Sequence, residues 1–253
     1  MDVLISHADG ISRIEFNRPH KKNALTAAMY GSLARTLAAC ETDPNVRVVL
    51  LCGQTGTFTA GNDLDDFNAE AAGGTESPAL QFIRQLRKVT KPVVAAVGGI
   101  AVGIGTTMLF HCDLVYASES ARFSLPFARL GLCPEAASSY LIPAAVGHQR
   151  AAEKLLLGAT FDAVEATEMG FVNKVLADDA LLDHAIAQAK TLASLPSVAV
   201  CATKALLRNG SQAVVDAQLE RESELFRQLL AGPAAHEAMT AFREKRKSDF
   251  RKF

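Results

Sequence analysis

Two apolar runs constrain this chain more than any other feature. Val46-Arg47-Val48-Val49-Leu50-Leu51 and Pro92-Val93-Val94-Ala95-Ala96-Val97 each read as a buried strand. Each then enters a segment of small residues, Thr59-Ala60-Gly61 after the first and Gly98-Gly99 through Gly103 and Gly105 after the second. Buried strands alternating with amphipathic helical patterns predict an α/β core of repeated strand–helix units. The 253 residues are 49% hydrophobic, enough to bury a large core in one domain or a domain with an appendage.

The remaining pattern agrees with that class. Val3-Leu4-Ile5 and Ile11-Ser12-Arg13-Ile14-Glu15-Phe16 flank Ala8-Asp9-Gly10, which predicts a hairpin with an Asp-Gly turn. Thr26 is placed to cap a helix whose apolar face carries Met29, Leu33, Leu37 and Cys40, with Asp43-Pro44 as its stop. Gly73-Gly74-Thr75 reads as a surface loop, residues 79–89 as an amphipathic helix, and 114–116 and 122–124 as short strands. Beyond Pro134 the spacing predicts helices over 134–146, 148–157, 162–169, 180–194, 197–208, 213–230 and 234–247, interrupted by a strand at 171–175.

Composition excludes several functions. A net charge of −1 supplies no field for nucleic acid or an anionic membrane surface, and no apolar run approaches a membrane span. The six histidines never fall at metal-ligand spacing, and the five cysteines are widely separated without a CxxC pair, so neither a metal site nor a disulfide framework is expected. With no leader-like N-terminus and no peroxisomal signal, a cytoplasmic setting is the expectation. Gly103-Ile104-Gly105-Thr106-Thr107-Met108 lacks the third glycine of a dinucleotide fingerprint, and there is no Walker lysine or GxSxG elbow.

What the two junctions offer instead is backbone. A strand running through small residues into a helix presents unpaired N–H groups, which suit an oxygen that becomes an anion. Seen alone, Phe58-Thr59-Ala60-Gly61-Asn62-Asp63-Leu64 reads first as a tight strand-to-helix turn with Asp63 as an internal cap. Likewise Glu135, after Pro134, is an ordinary choice for the first turn of a helix.

Taken together, Asn17-Arg18-Pro19 with Asn23-Ala24-Leu25, Ala60-Gly61-Asn62-Asp63-Leu64, Ile100-Ala101-Val102-Gly103-Ile104-Gly105 and the tail Ala241-Phe242-Arg243-Glu244-Lys245-Arg246-Lys247 resemble the crotonase (enoyl-CoA hydratase/isomerase) superfamily along essentially the whole chain. The resemblance implies a ββα-superhelix core over residues 1–195 and a helical trimerisation tail over 196–253, giving a homotrimer or a dimer of trimers. It implies an acyl-CoA thioester as ligand, with coenzyme A as part of the substrate and no separate cofactor. Carried over by position, the oxyanion donors are Ala60 and Ile104. Lys22, Ala24, Leu25, Gly61, Asn62, Asp63 and Leu64 contact the CoA moiety, and Gly103, Phe127 and Leu132 line the pocket. Arg243, Lys245, Arg246 and Lys247 either approach its 3′-phosphate or simply complement the dipole of the last helix.

Hydratases of this superfamily carry two glutamates, at positions that here hold Thr107 and Phe127. The segment Leu130-Gly131-Leu132-Cys133-Pro134-Glu135-Ala136-Ala137-Ser138-Ser139-Tyr140 instead is similar to the peroxisomal type of Δ3,Δ2-enoyl-CoA isomerase, whose Pro-Glu glutamate is the catalytic base. One carboxylate suffices to move a proton from C2 to C4 of a 3-enoyl-CoA, within fatty-acid or related acyl-CoA metabolism. Apolar neighbours would raise the pKa of Glu135 and exclude water. Hydration or another lyase-type step on acyl-CoA is the alternative, and a non-catalytic acyl-CoA-binding or RNA-binding relative the less favoured one.

Overall fold

A computed structural model describes residues 1–54, 56–66 and 76–253, so the expected loop at Gly73-Gly74-Thr75 lies outside the described residues. The chain opens with the expected hairpin, β1 (Val3–Ala8) and β2 (Ile11–Phe16), paired from Val3 opposite Phe16 to Ala8 opposite Ile11. Asp9 and Gly10 both have positive φ, as a two-residue turn matching the strand twist requires. Helix α1 (Ala27–Thr42) starts where the Thr26 side chain accepts the Met29 N–H and ends at Asp43; it buries Met29, Tyr30, Leu33, Leu37 and Cys40.

From there the chain repeats one step three times: a strand of a large sheet, a short strand of a second sheet, then a helical turn. Strands β3 (Val48–Gly53) and β4 (Thr57–Thr59) make the first step, with helical residues beginning at 64; α2 (Pro78–Lys88) then returns the chain. Strands β5 (Val93–Val97) and β6 (Ile100–Val102) lead into α3 (Ile104–Thr107), which tightens into a 3-10 turn at Met108–His111. Strands β7 (Leu114–Ser118) and β8 (Arg122–Ser124) lead to the 3-10 turn Ala128–Leu130. After α4 (Ser138–Val146) and α5 (His148–Leu157) come β9 (Phe161–Asp162), α6 (Ala163–Glu168) and β10 (Lys174–Leu176). The large sheet runs β1-β2-β3-β5-β7-β10 and the small one β4-β6-β8-β9. Pairing is parallel except at β1–β2 and β8–β9. Glycine makes the step between sheets possible. A Cβ on Gly53 would lie 2.1 Å from the Thr57 carbonyl oxygen, and one on Gly99 1.9 Å from that of Gly56.

Both faces of the large sheet are covered, which is why its strands are apolar at nearly every position. Val49, Leu51, Val93 and Ala95 face α1 and α2 through Leu33, Leu37, Phe82 and Leu86. Their neighbours Val48, Leu50, Val94 and Ala96 face α7 (Leu181–Ser194) through Leu181, Ala185 and Ala189. The last helices, α8 (Ser197–Asn209), α9 (Gln212–Leu230) and α10 (Pro233–Arg243), are held to this body: Val215 and Leu219 of α9 enter the main core. Leu230, Ala235 and Met239 close a separate cluster over Leu125, Phe127, Leu132 and Ile142. No single described helix is long and apolar enough to cross a membrane.

Three expectations change. The helix expected from Pro134 begins only at Ser138, because Ala136 and Ala137 are left-handed and break the repeat. The strand expected at 171–175 is displaced to Lys174–Leu176, Asn173 instead exchanging hydrogen bonds with Val115 through its backbone and side chain. The last helix stops at Arg243, with Lys245 in the left-handed region.

Candidate active site

Parallel pairing of β4 with β6 sets the two small-residue junctions side by side. They touch through glycine. Gly61 has a φ of 87°, and a Cβ there would lie 2.6 Å from the Val102 carbonyl oxygen; one on Gly105 would lie 2.6 Å from the Thr59 methyl carbon. Gly103 has φ 54° and ψ −117°, with nothing within 4 Å of an added Cβ, so open space lies over it. Its carbonyl accepts from the Thr106 and Thr107 amides and its own N–H donates to Ser124. Ile104, buried, opens the helix that follows, and among the described residues its N–H has no recorded acceptor.

The first junction corrects one expectation. The Ala60 N–H donates to the Lys22 carbonyl at 2.9 Å, so Ala60 is not an available oxyanion donor. The Gly61 N–H donates to the Thr59 hydroxyl, and the Asp63 N–H to the Leu25 carbonyl. Between them, the Asn62 N–H has no recorded acceptor among the described residues. The pattern follows from the bridge between Leu25 and Asn62: Leu25 bonds to Gly61 and Asp63 on either side, so the residue between points its amide the other way. Nothing in the sequence alone distinguishes Asn62 from Ala60.

Behind this loop lies a polar support that accounts for the Asn-Arg-Pro and Asn-Ala-Leu motifs. Buried Asn23 donates to the Thr57 and Phe58 carbonyls and accepts from the Arg18 N–H. The Arg18 guanidinium pairs with Asp63 and donates to the Ala24 carbonyl. Asp63 also accepts the Asp65 N–H, the internal cap the sequence allowed. Burial works to raise the Asp63 carboxyl; Arg18, the Asp65 amide and Lys21 outweigh it and hold it below its usual value. The Tyr30 hydroxyl bonds the Asn62 side chain. Lys22 is exposed on the rim with a left-handed backbone, Leu25 is buried, and Leu64 is half-buried at the start of helical residues 64–66. Arg246 pairs with Glu237 and Glu244.

Glu135 arrives from a different direction. It is half-buried, with Oε1 shielded from solvent, on a bend between the 3-10 turn Ala128–Leu130 and α4. Ala136 and Ala137 follow at φ 61° and 56°. Left-handed backbone costs an L-residue roughly 1–2 kcal/mol, so this bend must be held. The Ser138 N–H donates to the Glu135 carbonyl at 3.0 Å. His111, four residues past Thr107, donates from Nε2 to the Ala136 carbonyl at 2.8 Å. Burial drives the His111 pKa down to about 4, assisted by the charges of Arg208 and Arg87 and opposed by the bond to Ala136; the ring is therefore neutral at pH 7. Ala136, Ala137, Ile104 and Met108 all belong to the main apolar core. Phe127 and Leu132 pack elsewhere, in the cluster under α9 and α10, where the Leu132 N–H donates to the Phe127 carbonyl. Thr107 and Phe127 are both buried, so a hydroxyl and a ring stand where the resemblance would place the two hydratase glutamates.

A second acid, Glu222, went unnoticed in the sequence. It sits on the buried stripe of α9 with Val215 and Leu219. It accepts the Ser139 N–H at 2.9 Å and the Ser139 hydroxyl. Burial raises its carboxyl above the usual range, while Ser139, the Ala137 amide and Gln218 pull it back. A charge placed within an apolar helical stripe was the available signal. Among the described residues no group of three or more His, Cys, Asp and Glu is gathered as a metal would require.

Comparison with known proteins gives a consistent family. A profile described as Enoyl-CoA hydratase/isomerase matches residues 6–252. Enoyl-CoA delta isomerase 2 of Rattus norvegicus is 37% identical over 89% of this chain; the aligned region spans 59% of that longer relative. The 2,3-dehydroadipyl-CoA hydratase of Escherichia coli K12 is 32% identical over 99% of this chain and 98% of its own length. The crystal structure of an enoyl-CoA hydratase/isomerase from Pseudoalteromonas atlantica superposes with a TM-score of 0.94 at 41% identity, covering 99% of this chain and all of that one.

Proposed function

The chain belongs to the enoyl-CoA hydratase/isomerase family and has the crotonase fold, and from that premise we propose that it converts 3-enoyl-CoA to 2-enoyl-CoA with Glu135 as sole acid and base. The carboxylate of Glu135 takes a C2 proton, whose loss is favoured by the adjoining thioester carbonyl and alkene. The electron pair delocalises as a dienolate, with its negative charge on the thioester oxygen. The N–H groups of Asn62 and Ile104 hold that oxygen, and removing such a donor costs on the order of 10²–10³ in kcat. The protonated Glu135 then delivers its proton to C4, leaving the double bond conjugated and the carboxylate restored.

One observation carries the reading: a half-buried glutamate on a bend that His111 ties to the segment following Ile104, while Thr107 and Phe127 occupy the hydratase positions. A pair of acid–base groups suits the addition of water, one for the water and one for the α-carbon; one carboxylate suffices to move a proton. Gly103 leaves room for the thioester. Lys22, Ala24, Leu25, Gly61, Asp63 and Leu64 receive the nucleotide end, Lys22 through its ammonium and a phosphate. Exposed Val198, Leu206 and Leu207 on α8 support a homotrimer or a dimer of trimers.

The kinship to a hydratase supports the alternative reading. Separate incubations with 3-enoyl-CoA and 2-enoyl-CoA decide between them. The proposal expects the conjugated product from the first and negligible 3-hydroxyacyl-CoA from the second; rapid hydration would assign the other reaction.

A further inference from the structure

Helix α9 grips the chain on both sides of Glu135. The Glu222 carboxylate accepts the Ser139 N–H at 2.9 Å together with the Ser139 hydroxyl. Gln218, one helical turn earlier on the same face, donates to that hydroxyl at 2.7 Å. On the near side, the Cys133 thiol lies 3.9 Å from the Glu222 carbonyl oxygen. Glu222 itself is 4% exposed, and its second carboxylate oxygen is buried without a recorded hydrogen-bond partner among the described residues. An acid in that state is costly to keep, and a stable helix would be better served by leucine there.

The bend has one bond of its own, Ser138 N–H to the Glu135 carbonyl, and its other anchors come from outside. Ala136 and Ala137 are both left-handed, and helix α4 starts immediately after them. Without an outside acceptor for the Ser139 amide, these two residues gain by joining the helix, and Glu135 then swings through a turn. His111 anchors only the Ala136 carbonyl; the amide side of the bend depends on Glu222.

We infer that Glu222 is a positioning residue for the reaction: from α9 it locks the bend of residues 133–139 so that the Glu135 carboxylate faces the substrate carbons. This rests on Glu135 being the acid–base group. The role is one of acceptor geometry and reach. Glu222→Gln keeps an acceptor oxygen at the same distance, while Glu222→Asp keeps the charge and withdraws the oxygen by one methylene.

The test measures kcat and KM for 3-enoyl-CoA in Glu222→Gln, Glu222→Asp, Glu222→Ala and Glu135→Gln, with amide hydrogen exchange at Ala137 and Ser139. A misplacement of about 1 Å costs on the order of 10²-fold. The expectation is a kcat loss of that order in Glu222→Asp and Glu222→Ala, with KM within about twofold, faster exchange at Ser139, and recovery to near wild type in Glu222→Gln. A wild-type kcat in Glu222→Asp, or a Glu222→Gln enzyme as slow as Glu222→Ala, overturns the inference. If Glu222→Ala does not fold, the Asp and Gln pair decides it. An active Glu135→Gln enzyme would overturn both this inference and the proposed function; an inactive one beside a wild-type Glu222→Asp enzyme overturns this inference alone.

Discussion

Gly61 and Gly103 stand on the two loops that meet over the site, and both require positive φ, yet they differ in what surrounds them. A methyl group at Gly61 would press on the Val102 backbone at 2.6 Å, whereas one at Gly103 would meet nothing within 4 Å. Gly103→Ala therefore carries only backbone strain, its φ of 54° and ψ of −117° being a conformation that glycine adopts freely and an L-residue does not. Gly61→Ala adds a clash that must separate the loops. We expect thermal unfolding to show the larger loss in Gly61→Ala, and activity to fall in both as the Asn62 and Ile104 amides move apart; equal melting temperatures would contradict this. The small-residue junctions of the candidate site were legible in the sequence, because Gly61, Gly103 and Gly105 stand where the two apolar runs end. Conformation was not. Pro134-Glu135 spells an ordinary helix start, and two consecutive left-handed alanines carry no signal of their own. Ala60 and Asn62 are likewise indistinguishable until the Leu25 bridge fixes which amide is engaged.

Between elements, His111 is the link whose chemistry can be read from solution. It joins the turn after α3 to the bend before α4, and its folded-state pKa of about 4 lies below the usual 6.5. A neutral form favoured by folding contributes stability in full above pH 6.5. As pH falls from 6.5 toward 4, the unfolded chain binds a proton the folded one refuses, and that contribution is lost. His111→Gln keeps a donor for the Ala136 carbonyl but does not titrate. The wild type should lose melting temperature more steeply than His111→Gln between pH 6.5 and 4; parallel curves would contradict the assignment. Helix α1 and the long strands were readable from the Thr26 cap and from continuous apolar runs. The short strands β4 and β6 were not: β4 lies in a stretch that reads as a loop and β6 between glycines, whereas β8, equally short, was read.

At the scale of the molecule, the C-terminal helices do two things at once. One face of α9 enters the core, while α8 leaves Val198, Leu206 and Leu207 more than 75% exposed. Apolar exposure of that kind is what a self-association surface requires. On the proposed assembly, Leu206→Glu with Leu207→Glu should lower the sedimentation coefficient toward that of the monomer, and an unchanged coefficient would contradict an interface through α8. The central claim concerns a single side chain. Its most direct test is the turnover of 3-enoyl-CoA by Glu135→Gln, measured beside binding of a saturated acyl-CoA. The account predicts a kcat lower by on the order of 10³-fold with binding unchanged. Turnover within a few-fold of wild type would contradict it.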